Sequence, residues 1–165
     1  MKKLLATTAA VLGAIACGSP GESGDATSDL SATCATPAPS TPAVERKVSF
    51  ASDVLPLLVT SCAFGACHGA AKGANNGVFL GAKGAPNDAA AIRAGLVGRP
   101  STQSSLPYVT PSSPSQSYLF RKLTDFCGLP CDGDRCGQRM PRGGDPLDEA
   151  SLATVRAWIA QGAPE

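Results

Sequence analysis

Ser61-Cys62-Ala63-Phe64-Gly65-Ala66-Cys67-His68 is the stretch on which the reading of this chain turns. It holds the only histidine of the 165 residues, directly behind one cysteine and six positions after another. Two thiols and an imidazole this close together suit covalent haem attachment: each thiol adds across a porphyrin vinyl, and the following histidine meets the iron. The usual spacer between the cysteines is two residues. Here Ala63, Phe64, Gly65 and Ala66 stand between them, so the loop has to bulge. Gly65 is expected to permit the bulge through a positive φ, with the small Ala63 and Ala66 leaving it unobstructed. Other readings of these residues stay open. A Cys62–Cys67 disulfide would leave His68 a bystander. A zinc site would need Cys67 and His68 to ligate from adjacent positions, with a further ligand from the distant cysteines. A thioredoxin-like redox site lacks both the Cys-x-x-Cys spacing and a βαβ pattern.

Further along, Gln138-Arg139-Met140-Pro141-Arg142-Gly143-Gly144 holds the only methionine after the initiator. Methionine normally fills core gaps, and a Pro/Gly loop offers it little to pack against. A thioether is, however, a good sixth ligand for haem iron and raises its potential. Pro141 would fix the sulfur's approach. The plain alternative is a methionine tucked beneath its loop. With His68 and Met140 both on the iron no position stays open for substrate, so one-electron transfer is expected rather than catalysis. A peroxidase with a labile Met140 is the enzymatic alternative, and a non-redox, Cys-stapled surface lipoprotein with a structural or binding role is the other.

Cys127, Cys131 and Cys136 surround Asp132-Gly133-Asp134, and with Cys34 they allow three pairings. A structural disulfide clamping the Met140 loop is expected. Asp132 and Asp134 fit an ordinary turn better than calcium, which needs six to eight oxygens. Arg135, Arg139 and Arg142 read either as a solvated face or as a docking rim for a redox partner.

Residues 48–59 place Phe50, Val54, Leu55, Leu57 and Leu58 on a broad apolar face, with Ser52 as N-cap, Asp53 in the first turn and Pro56 where a missing N–H does least harm. A short helix is expected there, running into Cys62. The glycine-rich residues 69–84 cannot hold a regular element for long. Asn87 and Asp88 cap a short alanine-rich helix that ends near Gly95, and a Ser/Pro loop follows to Ser112. Ser113-Pro114-Ser115-Gln116 reads as a capping box with proline at the first helical position, opening a helix through Tyr118, Leu119 and Leu123. Asp145-Pro146 opens the last helix, whose Leu152, Val155, Trp158 and Ile159 form one buried stripe before a Gly162 cap. No stretch alternates as a strand would. The fold class is mostly α, with long loops.

The net charge of +1 gives no nucleic-acid footprint and no steering argument. Five per cent aromatics, 18 Gly and 14 Pro make a loop-rich chain that needs a staple. Residues 1–16 read as a signal peptide: Lys2 and Lys3 precede an apolar run too short to span a membrane. Ala14-Ile15-Ala16-Cys17 resembles a bacterial lipobox, with Cys17 as the lipidated residue and Ala14 in place of the more typical Leu; ordinary secretion is the alternative. Residues 17–47, rich in Ser, Thr, Pro and Ala, read as a tether, leaving residues 48–165 as the domain. Export to the cell envelope would put the remaining cysteines in a disulfide-permissive compartment.

Cys67-His68-Gly69, Met140-Pro141 and a final helix carrying Trp158-Ile159 together resemble a class I c-type cytochrome. More narrowly, they resemble the cytochrome c-like domains of planctomycete-type surface proteins. Asp53-Val54-Leu55-Pro56-Leu57-Leu58, Leu96-Val97-Gly98, Ser117-Tyr118-Leu119 and Lys122-Leu123 add to the likeness, which covers residues 48–163. The resemblance implies a small helical domain around one haem c, bound covalently through Cys62 and Cys67, with His68 proximal and Met140 distal. It also implies that the first and last helices cross, with Phe50 and Trp158 placed to pack there. The four-residue spacer departs from the family motif. The buried porphyrin would supply the apolar surface that so few aromatics do not.

Overall fold

A computed structural model describes residues 44–124, 126 and 128–165. The expected signal peptide, the lipidation site Cys17, most of the tether with Cys34, and Cys127 lie outside the described residues. Within them the chain is helix-rich and has no strand, only isolated bridges such as Val97 with Val109 and Pro100 with Pro107. No helix among the described residues is long and apolar enough to cross a membrane.

The chain enters on a π-turn, Phe50–Val54, that continues as helix α1, Leu55–Cys62. Its cap is Ser49 rather than the expected Ser52, which lies inside the turn. Ser49 Oγ accepts from Ser52 N at 3.5 Å, and Asp53 Oδ2 accepts from Ser49 N at 2.8 Å. The wide turn has a cause in Pro56, whose ring would meet the carbonyl four residues back in a continuous α-helix. Opening one turn, with Leu55 N–H donating to Phe50 O, carries the chain past that position.

Helix α2, Ala89–Ala94, is capped by Asp88, whose carboxylate accepts from Ala91 N at 3.0 Å. Asn87 does not cap. Its amide instead closes the preceding loop, accepting from Ala82 N at 2.7 Å and donating to Ala82 O at 3.0 Å.

The expected helix from Ser113 is broken. Pro114–Gln116 is an isolated 3₁₀ turn, Ser113 makes no side-chain cap, and helix α3 covers Tyr118–Leu123. Ser117 is extended between them because its hydroxyl serves the neighbouring loop, accepting from Thr110 N at 2.9 Å and donating to Ser113 O at 2.9 Å. The first N–H groups of α3 find loop carbonyls: Tyr118 N donates to Pro107 O and Leu119 N to Tyr108 O, each at 2.9 Å.

Helix α4, Glu149–Ala160, starts beyond the expected Asp145-Pro146. Asp148 is the cap, accepting from Ser151 N at 2.7 Å and Ser151 Oγ at 3.0 Å. This register places Leu147 just before the cap and Leu152 on the fourth helical position, both buried in one core cluster, as a hydrophobic staple. The expected stripe of Leu152, Val155, Trp158 and Ile159 is buried in full. Gly162, at φ +92, ends the helix where only glycine is unstrained.

The core lies between the two ends of the domain. The rings of Phe50 and Trp158 sit 5.1 Å apart, tilted by 40°, a contact that adds about 0.5–1.5 kcal/mol beyond its burial. Val44 also packs against this core, so contacts begin ahead of residue 48. The Gln161 amide joins the two ends: its Oε1 accepts from Val48 N at 2.9 Å and its Nε2 donates to Arg46 O at 2.8 Å. Arg46 pairs in turn with Asp53 at 2.9 Å.

Candidate functional site: a cavity bordered by His68 and Met140

Cys62 is the last residue of α1, and the chain then closes a tight loop. Cys67 N and Gly69 N both donate to Phe64 O, at 2.8 and 2.9 Å, and His68 N reaches back to Cys62 O at 3.3 Å. The glycine that makes this closure possible is Gly69. A Cβ there would lie 2.4 Å from Ala63 O, whereas one on Gly65 would meet nothing within 4 Å. Gly65 does not take the positive φ expected of it; the bulge is absorbed by close backbone approach at the far end of the loop. Phe64, at the top of the bulge, is half exposed, with the Lys83 ammonium 3.6 Å from its ring centroid.

The two cysteines are free thiols, Cys62 buried and Cys67 half-buried. Burial, with some help from neighbouring Cys67, pushes the Cys62 thiol up to about 11, against a lowering by Lys83. Its sulfur is therefore neutral at physiological pH.

The glycine-rich segment after His68 supports the imidazole. Asn75 N donates to Cys67 O and Leu80 N to His68 O, each at 2.9 Å. Between them, Val78 O lies 2.9 Å from His68 Nδ1. A carbonyl only accepts, so Nδ1 carries the proton and Nε2 keeps its lone pair for a metal. Val78 was not among the expected functional residues. The sign available was that Val78-Phe79-Leu80 is the one apolar run in an otherwise glycine- and alanine-rich segment.

Met140 is half-buried and packs against the main core cluster, so its side chain has a packing role as well. It also borders a cavity of about 980 Å³ that is bordered by Cys62, Cys67 and His68. That volume lies at the upper end of the range for cofactor and ligand pockets. Four residues chosen from two separate segments of sequence thus meet at one space. The rest of the wall includes Leu80, Leu96, Tyr108, Tyr118, Leu119 and Lys122. Burial, then the neighbouring Tyr108, pushes the Tyr118 hydroxyl up to about 12, and it donates to Gln103 Oε1 at 3.1 Å.

Of the three possible pairings, the structure contains Cys131–Cys136, which closes the 3₁₀ turn Gly133–Cys136 just ahead of the Met140 stretch. Among the described residues, no three or more His, Cys, Asp or Glu side chains are grouped to hold a metal ion. Arg135 and Arg142 are exposed and Arg139 is half-buried. Lys122 is a residue to which sequence reasoning gave no role. It is 4% exposed, and burial draws its ammonium down to about 8.

Comparison with protein-family models, with curated proteins and with solved structures finds no match to this chain.

Proposed function

We propose that this is an electron carrier of the c-type cytochrome kind, a small helical domain holding one covalent haem. The observation that carries this reading is the meeting of Cys62, Cys67, His68 and Met140 at the border of one cavity. The donor set fits the group. Two uncommitted thiols are available for thioethers, and an imidazole with its Nδ1 held at Val78 O leaves Nε2 for the iron. A thioether opens on the same space, within walls of Leu80, Leu96 and Leu123. When bound, the haem supplies a site for one-electron exchange.

The chain's own residues do the rest. Val78 O fixes the imidazole's tautomer and ring orientation, which raises its basicity as a ligand. Met140 would be the second protein ligand to the iron and would bias the site toward a higher potential than two imidazoles would give. Leu80, Leu96 and Leu123 would help to keep water from the group. We also place the protein outside the cytoplasm, anchored through lipid on Cys17, where it would exchange electrons with redox protein partners.

Haem staining of a denaturing gel tests the reading. A stained band at the protein's mass is expected, because thioether-bound haem stays with the polypeptide. An unstained band would overturn the reading and favour the Cys-stapled surface protein, to which the Cys131–Cys136 disulfide is equally suited. Cys62→Ser and Cys67→Ser variants, compared by mass, would show how many thioethers form.

A further inference from the structure

We infer that Lys122 is the positioning residue for Met140. This deepens the proposal above and rests on it. Residues 137–143 belong to no helix, and Gly137 and Gly143 both take positive φ, so the stretch has little means of holding its own shape. Lys122, on the last turn of α3, fixes it from two sides. The Lys122 ammonium donates to Cys136 O and Gln138 O. The Lys122 carbonyl accepts from Met140 N at 2.8 Å. The methionine's own backbone and two carbonyls just before it are therefore tied to one residue of α3. The ring of Phe126 lies 5.1 Å from the same ammonium.

The choice of lysine is informative. A buried ammonium is costly, and lysine is almost never fully buried without partners. A leucine or methionine at 122 would pack a helix against a core at less cost. What an ammonium on a long stem supplies is three N–H donors at one point and no acceptor, enough to reach carbonyls two residues apart. Cys136, one of the two acceptors, is also locked by its disulfide to Cys131, so the clamp is anchored at its upstream end. Lys122 itself lines the cavity that Met140 borders. Its bonds set where the thioether stands relative to that space.

The test uses the haem-loaded protein and exogenous imidazole, which competes for the position that Met140 would occupy. M140A sets the scale: it should bind imidazole at least about tenfold more tightly than the parent, a shift of about 1.4 kcal/mol, with a lower reduction potential. Lys122→Met keeps the apolar stem and loses the donors. It should approach M140A in both readouts while retaining covalent haem, and should add nothing when combined with M140A. Lys122→Arg, which keeps multiple donors, should restore the parent's potential and imidazole resistance.

Four results would overturn the inference: a Lys122→Met protein as resistant to imidazole as the parent; an effect of Lys122→Met that persists undiminished in the M140A background; a Lys122→Arg protein that behaves like M140A; or an M140A protein indistinguishable from the parent. The last would also remove Met140 as an axial ligand. The first three leave that ligation intact, and loss of the haem-stained band is a separate failure of the proposed function itself.

Discussion

Gly69 and Gly65 sit four residues apart in the same loop and should respond oppositely to one methyl group. At Gly69 the added Cβ meets a backbone carbonyl at 2.4 Å, which no side-chain rotation relieves. Gly69→Ala is expected to cost about 1–3 kcal/mol and, on the proposed function, to lower the fraction of chains carrying haem, whereas Gly65→Ala should stay within about 0.5 kcal/mol of neutral. Thermal unfolding of the two variants checks this; equal midpoints would show that the loop does not close on Ala63. At this scale, what the sequence made legible was chemistry carried by rare side chains. A single histidine behind a cysteine and a single internal methionine stand out in any context, and the fold brings them to one cavity. What it hid was backbone chemistry. The Val78 carbonyl that holds His68 has no side-chain signature, and Lys122 contradicts the ordinary expectation that lysines face water. The Gly65 expectation failed because conformational freedom was assumed where the loop instead needed space.

Asp148 carries the start of α4, and Asp53 closes the cap ahead of α1. Hydrogen bonds to backbone N–H groups, from Ser151 and Ser49 respectively, hold both carboxyls below the usual carboxylate range. A carboxyl whose pKa is lower folded than unfolded stabilises the fold fully above its unfolded value, near 4. That stabilisation is lost as pH falls through the folded value. Circular dichroism should therefore show the first and last helices weakening together below about pH 4. Asp148→Ala should lower the midpoint at neutral pH and flatten this acid response, and Asp148→Asn, still a good cap, should restore much of the neutral midpoint. An acid response unchanged in Asp148→Ala would show that the cap is unimportant. Helix identity was readable at this scale because apolar spacing is local. Helix starts were not, because several good caps compete within a few residues and tertiary contacts choose between them. The Leu147–Leu152 staple selects Asp148 over Asp145, and the needs of Thr110 divert Ser117 from continuing the turn begun at Pro114.

Trp158 and Phe50 connect elements more than a hundred residues apart in sequence, and Trp158 is fully buried with its indole N–H on Pro164 O at 2.8 Å. Trp158→Ala should cost about 3–5 kcal/mol, a large share of the roughly 5–15 kcal/mol that holds an ordinary domain folded. A shift of under about 1 kcal/mol would place the main core elsewhere. That the ends of the domain meet was legible from two aromatic positions and a helical stripe. The placement of the loops was not, since it depends on side-chain amides: Asn87 closes its own loop on Ala82, and Gln103 and Gln161 bond to distant backbone. The Gln161 amide also has a mechanical consequence. Arg46 and Val48 are pinned to the C-terminal end of α4, and Arg46 braces Asp53. Traction on the chain ahead of Val44 would therefore be shared with α4 through the Gln161 amide before it reached the core cluster. Pulled by its leading end, the domain would meet the load first at the junction of its two ends.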